Sequence, residues 1–168
     1  MLRRSDFMSR FILGLLLLVS SCCAFSQSDI VQGPFKLDAE TSVVIKNEND
    51  VNYPLAIYYE INGNSYKVES YEVDGDDPHV ETVFFTNLEN KKNVIVLISW
   101  YQKHSAERID GTAYQVFGYT YDARKLTVNS LIKNDQNLNG LDGKFDGKQM
   151  SFKYKNADKI KQYLKLHY

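Results

Sequence analysis

Cysteine is almost absent from this chain: its two cysteines, Cys22 and Cys23, stand side by side near the N-terminus and none follows. The rest of the chain therefore has no internal disulfide, which excludes a small disulfide-stapled scaffold and leaves stability to a buried core. Excess charge is lacking too. The net charge is −1, so nothing draws the chain electrostatically to nucleic acid or to an anionic membrane face. No hydrophobic run is long enough to span a bilayer. The longest apolar stretch near the N-terminus, Phe11 to Val19, is about half of the roughly 20 residues that a spanning helix needs. The catalytic signatures G-x-S-x-G and H-E-x-x-H are also missing, and His79, His104 and His167 lie far apart.

The N-terminus has instead the tripartite pattern of an export signal. Arg3, Arg4 and Arg10 precede the apolar centre, and the small residues Ser20, Ser21, Ala24 and Ser26 follow it. Residues 1–26 are expected to be a signal peptide and residues 27–34 a polar tether. Two processing routes are open. Ala24-Phe25-Ser26 places small residues for cleavage after Ser26, whereas Val19-Ser20-Ser21-Cys22 resembles a bacterial lipobox, which implies lipidation of Cys22. The first route gives a periplasmic or secreted protein, the second an outer-membrane lipoprotein. With the leader's +2 removed, the remaining domain carries −3.

Residues 35–168 read as one domain of the α+β class, mainly β, expected as an antiparallel sheet or β-sandwich of about seven to nine strands with one C-terminal helix. Thr41 to Lys46 and Tyr53 to Ile61 alternate as strands, and Asn62-Gly63 is a strong hairpin signal that returns the chain through Ser65 to Val73. Asp74 to Pro78 is a turn, Val80 to Leu88 a strand and Asn87 to Asn93 a polar loop. The unbroken apolar run Val94 to Trp100 predicts a central strand covered on both faces. A charged loop, Gln102 to Asp110, precedes the strands Thr112 to Tyr121 and Leu126 to Ile132. Asn134 to Gly147 reads as a loop and Met150 to Tyr154 as a short strand. At the end the period becomes helical, with Asn156 as N-cap and Ala157, Ile160, Tyr163 and Leu164 on one face.

Several side-chain groups are candidates for function. Asp135, Asn137, Asn139 and Asp146 follow the spacing of a calcium loop with Gly140 at its sixth position, although the last ligand is Asp and the flanks read as strands. The alternative is a turn whose polar side chains bond their own backbone. The segment Asn87 to Asn93, between two apolar strands, resembles a decayed calcium loop of FG-GAP β-propeller repeats. Lys91 and Lys92 stand where an oxygen ligand and a glycine belong, and a single unit cannot build a propeller, so no function is carried over. Asp74, Asp76, Asp77 and Glu81 with His79 form an acidic cluster, read either as a solvated turn or as a site for a cation or a basic partner.

Trp100, Tyr101, His104, Glu107, Arg108 and Asp110 gather on and just after the central strand and are the expected binding residues. Aromatic anchors and a charged loop on a stiff sheet suit protein contact, whereas Ser105 lacks the strained elbow of a nucleophile. The expectation is a non-catalytic binding protein of the bacterial envelope, possessing no cofactor unless calcium occupies the 135–146 loop. Its partner is expected to be a protein, as for an inhibitor or immunity protein against an envelope-acting hydrolase. A structural or glycan-contacting lipoprotein and a small hydrolase are the alternatives. Membrane contact is expected only through a lipid anchor, and the sequence leaves the oligomeric state open.

Overall fold

The computed structural model describes residues 29–168. The expected leader and Cys22 lie outside the described residues. Ten strands, β1 (Ile30–Lys36), β2 (Thr41–Asn47), β3 (Leu55–Ile61), β4 (Asn64–Tyr71), β5 (His79–Leu88), β6 (Lys91–His104), β7 (Ile109–Asp122), β8 (Lys125–Val128), β9 (Asn139–Phe145) and β10 (Lys148–Met150), are joined by a one-turn helix α1 (Ser130–Lys133) and closed by α2 (Ala157–His167). The first strand corrects the expected tether. Residues 30–34 pair with β2, across a register shift where Gly33 takes a positive φ.

All pairings are antiparallel. One sheet has the order β1-β2-β3-β4; the other runs β10-β9-β7-β6-β5, with β8 also on β7. The apolar run behaves as its pattern dictates. Val94, Val96, Ile98 and Trp100 face the first sheet, where they meet Val43, Ile45, Leu55, Ile57 and Tyr71. Ile95 and Leu97 face the opposite way, into a second core with Ile132, Leu138, Ile160 and Leu164 from the helical side. Three layers result: sheet, sheet and helix. The middle layer is buried on both sides because its central strand is apolar at consecutive positions.

The helix α2 starts where Asn156 Oδ1 accepts the Lys159 amide at 3.0 Å, and Ile160, Tyr163 and Leu164 are its buried residues. Its exposed Lys165 and His167 lie in the last turn, where positive charge suits the helix dipole.

The hairpins are tighter than the sequence suggests. Four of them turn on two residues, both at positive φ: Asn62-Gly63, Glu89-Asn90, Ala123-Arg124 and Asp146-Gly147. Paired positive φ values match the twist of the flanking strands, so even Glu89-Asn90 and Ala123-Arg124 adopt them when the strand pattern on both sides fixes the register. The polar loop expected from Asn87 to Asn93 is thus the end of β5, one turn and the start of β6. Segments 126–132 and 134–147, read as a strand and a loop, are instead the short β8 with α1, and a 3-10 turn with β9.

Ala123 stays left-handed only because β7 and β8 hold it there, and a Cβ at such a φ costs on the order of 1 kcal/mol. Ala123→Gly is expected to raise the midpoint of thermal unfolding by a few degrees. Scanning calorimetry of the two proteins checks this; a lowered midpoint would contradict it.

Candidate functional site

Two regions gather polar and aromatic side chains: the far end of the β6–β7 hairpin, and a cleft at the seam between the two sheets.

The hairpin end replaces the expected charged loop. The strands pair from Lys92↔Tyr121 out to His104↔Ile109, and only a 3-10 turn, Ser105–Glu107, separates them. Core packing on this hairpin stops at Trp100 and Ala113, so the last residues of β6 reach about 13 Å farther at the usual rise per residue. A second hairpin, β9–β10, lies beside this end, since β9 pairs β7 through Asp110↔Lys144. The two hairpins are tied at the tip. The Gly147 amide donates to the Arg108 carbonyl at 3.2 Å, and Arg108 lies 3.7 Å from Asp146 in an exposed ion pair. Behind the tip Gly111 opposes Gly143. A Cβ on Gly111 would stand 2.4 Å from the Phe145 ring and 2.7 Å from the Asp142 carbonyl, so the backbones meet where side chains are absent.

Of the expected binding residues, Tyr101, His104, Glu107, Arg108 and Asp110 are together at this tip. Tyr101 is 47% exposed and its hydroxyl donates to Asp110 at 2.9 Å; that bond, with some burial, raises the phenol's pKa. Trp100 is not with them. It points to the opposite face, is only 6% exposed, and donates its indole N–H to the Glu72 carbonyl at 2.8 Å. Neighbouring positions on a strand face opposite ways, so Trp100 and Tyr101 cannot share a surface. Among the described residues, His104, Ser105 and Asp110 form no hydrogen-bonded relay.

The calcium loop is not assembled. Asp135 caps the 3-10 turn Gln136–Leu138, and Asn139 begins β9. Asp146 lies beyond β9 in a hairpin turn, about 20 Å along an extended strand. An extended strand cannot wrap an ion, and among the described residues no group of three or more His, Cys, Asp or Glu is placed to hold a metal. The Asp146-Gly147 pair in the pattern is a turn signal of the same kind as Asn62-Gly63. Asp135 has another role. It accepts hydrogen bonds from the Tyr163 hydroxyl at 2.7 Å, the Tyr168 hydroxyl at 3.0 Å and the Asn137 amide at 2.9 Å, tying the end of α2 to the 3-10 turn. Burial pushes its pKa up, but these donors outweigh burial and hold it below the usual carboxylate value. Tyr168 is pushed up to about 12, by burial first and then by Asp135.

The cleft was not visible in the sequence. One edge of β7 is covered by β9 along Asp110–Gln115 and by β8 along Tyr119–Asp122, which leaves a gap between them. The connection from β8 to β9 crosses this gap. Ile132 fits against Gly118, where any Cβ would lie within 3 Å of its side chain, and the Lys133 ammonium meets the Glu69 carboxylate. Glu69 also accepts the Tyr119 hydroxyl at 2.7 Å, and Tyr119 lies 2.9 Å from the hydroxyl of buried Tyr71. Burial pushes both phenols well above their ordinary values, so they serve as neutral donors. The opening has a volume of about 550 Å³, and its walls include Tyr53, Glu72, Asp74, Trp100 and Phe117 besides Glu69, Tyr71 and Lys133.

No family model, no curated protein and no solved structure matches this chain.

Asp135 stabilises the fold in its ionised form. With its folded pKa depressed, that stabilisation is present above the unfolded value near 3.8 and is lost as pH falls through the lower folded value. Asp135→Asn is expected to cost about 1–2 kcal/mol at neutral pH, with the difference shrinking below about pH 4. Urea unfolding at both pH values checks the sign. A gap that widens in acid would refute it. Separately, Gly111→Ala is expected to cost about 1–3 kcal/mol, because Phe145 and the Asp142 carbonyl must move to admit one methyl group. An unchanged unfolding midpoint would show that the two hairpins are less closely joined than described.

Proposed function

We propose that this chain is an exported, non-catalytic binding protein of a bacterial envelope, and that it recognises another protein through the joined tip of its two hairpins. The observation that carries this reading is the tip itself. Strands continue past the last core residue, a second hairpin braces them, and their end presents Tyr101, Lys103, His104, Glu107, Arg108 and Asp110. An opening of about 410 Å³ beside them is lined by Lys103, Arg108, Asp110 and Lys144, so both signs of charge lie within a few residues of an exposed aromatic ring. Arginine and tyrosine are the residues that carry most energy at protein interfaces. A preformed projection loses little conformational entropy on binding, which suits entry into a partner's cleft.

Steric occlusion is the mechanism that follows: the tip fills the active-site groove of an envelope-acting hydrolase and excludes its substrate. Export rests on the leader-like N-terminus, and a lipid on Cys22 would hold the same protein at the membrane surface. Metabolic labelling with an acyl probe separates the two routes, since Cys22→Ser removes the label only from a lipoprotein.

The full chain, exported by its own leader and used as bait in an envelope extract, is expected to retain a protein at physiological salt. Lys103→Glu with Arg108→Glu is expected to weaken that retention at least about tenfold while the melting temperature falls by only a few degrees, because both side chains are exposed and the Arg108–Asp146 pair lost with them is screened by solvent. Failure to retain any partner, or retention indifferent to the tip charges, would refute this assignment.

A further inference from the structure

The two sheets end in four edge strands, β1 and β4 in one, β10 and β5 in the other. A free edge offers unpaired amides and carbonyls to any other strand, and three of these four are blunted against that. Along β1 the register shifts twice, Pro34 has no amide hydrogen to donate, and Lys36 ends the strand. In β4 the register shifts once, and the strand carries Lys67 and Glu69. The third, β10, has only three residues, one of them Lys148. The fourth, β5, is different. After a register shift between Val80 and Thr82 its pairing with β6 is regular from Thr82 to Leu88, and that segment holds no charged residue, no glycine and no proline.

We infer that this edge is an interface between two copies of the chain, joined β5 to β5 antiparallel about a two-fold axis at Phe85. The two-residue turn Glu89-Asn90 makes Leu88 and Lys91 a doubly hydrogen-bonded pair, so bonding toward β6 alternates back through Thr86, Phe84 and Thr82. Val83, Phe85 and Asn87 therefore aim their amides and carbonyls outward, and among the described residues no backbone hydrogen bond outside the strand ladders reaches them. Phe85 is the midpoint of the regular segment. An axis there sets Phe85 opposite itself and Val83 opposite Asn87, so the three outward residues of each copy are all paired, by about six main-chain hydrogen bonds. An axis at a neighbouring residue leaves an outward group unpaired or runs into the register shift. This symmetry selects a second copy as the occupant, since a two-fold contact needs one patch that is complementary to itself.

The side chains agree with the backbone. Phe85 is 37% exposed and meets Phe35 of the other sheet edge-on, with ring centres 6.2 Å apart, so the axis brings four rings together on the sandwich side. On the opposite face Phe84 of one copy stands across from Thr86 of the other, a favourable kind of cross-strand pair. Glu81 and Glu89 lie just beyond the paired segment, and Glu81 of one copy comes near Glu89 of the other. Those like charges end the ladder and weaken it. One strand pair with its flanking rings is at the small end of specific interfaces, so the expected dissociation constant is on the order of 1–100 µM. Because the paired strands are antiparallel, the two β6–β7 tips point away from each other and stay free. The inference does not rest on the role proposed for the tip.

Sedimentation velocity of the protein exported by its own leader is expected to show a monomer below about 1 µM and a dimer near about 500 µM. Phe85→Lys sets two ammonium groups face to face on the axis, and Phe85→Glu two carboxylates. Each variant alone is expected to dimerise at least about tenfold more weakly, and an equimolar mixture of the two to recover the dimer. Recovery reports this register and no other, because residue 85 faces only its own counterpart. Asn87→Pro removes an outward amide hydrogen and leaves the bonds to β6 in place, so it is expected to weaken the dimer at least about tenfold with an unchanged circular dichroism spectrum. It decides the question alone if loss of the Phe35 contact unfolds the variants at position 85. A monomer at every concentration up to about 500 µM overturns the inference. So does association that runs past the dimer, a dimer indifferent to Asn87→Pro or to both charges at position 85, or a mixture of the two folded charge variants that stays monomeric.

Discussion

The ladder between β6 and β7 is the constraint on which the rest of this structure depends. It joins two strands of fourteen residues each, and its two faces belong to different cores. On one face Val94, Val96, Ile98, Phe117 and Tyr119 seal the sandwich; on the other Ile95, Leu97 and Val116 seat the helical layer. Each such side chain contributes about 1.5–3 kcal/mol when fully withdrawn from water, and a chain without core disulfides has no other source of comparable size. Because one ladder serves both cores, neither layer can detach without exposing part of the other.

The polar chemistry is arranged around that ladder rather than within it. Tyr119 is fully buried on β7, yet its hydroxyl reaches Glu69 and Tyr71 on the opposite sheet, and Lys133 completes the group from the crossing segment. A charge so close to the core is tolerable only when hydrogen-bonded and paired, and here both carboxylate oxygens are engaged. Glu69, Tyr71 and Lys133 of this group also line the seam cleft, so a stabilising network and an open surface share side chains.

Much of this architecture was legible in the sequence, for reasons that differ by element. The central strand could be read because consecutive apolar residues have one common explanation, burial on both faces. The Asn62-Gly63 hairpin and the Asn156 cap could be read because each depends on local geometry that few residues satisfy. The cleft could not. Its key residue Glu69 follows Lys67 by two positions, which in a regular strand places both on one face. The register shifts at this point of β4, so that Lys67 opposes Tyr58 on the outer side while Glu69 opposes Ile57 over the core. No residue in Val68 or its neighbours marks such a shift. The gap in the edge of β7 was hidden likewise, since it depends on two later strands sharing one edge. The calcium pattern is ambiguous for the opposite reason: glycine, asparagine and aspartate at short spacing serve turns as well as ions, and the extension of β9, which sets Asp135 and Asp146 at opposite ends of a strand, is not written in that spacing. The hairpin tip was legible in its residues but not in its shape, because a charged stretch with one small turn reads as a loop.

The contact of Gly111 with Gly143 has a consequence for how the tip behaves as a body. With no side chains between the two backbones, the paired hairpins meet directly at their root and are built as one blade, held by the β7–β9 ladder, instead of two separate fingers. A body of this kind meets whatever it touches in the shape it already has. The lifetime of such an encounter is then governed by the contacts broken on departure, with no refolding step to slow its formation.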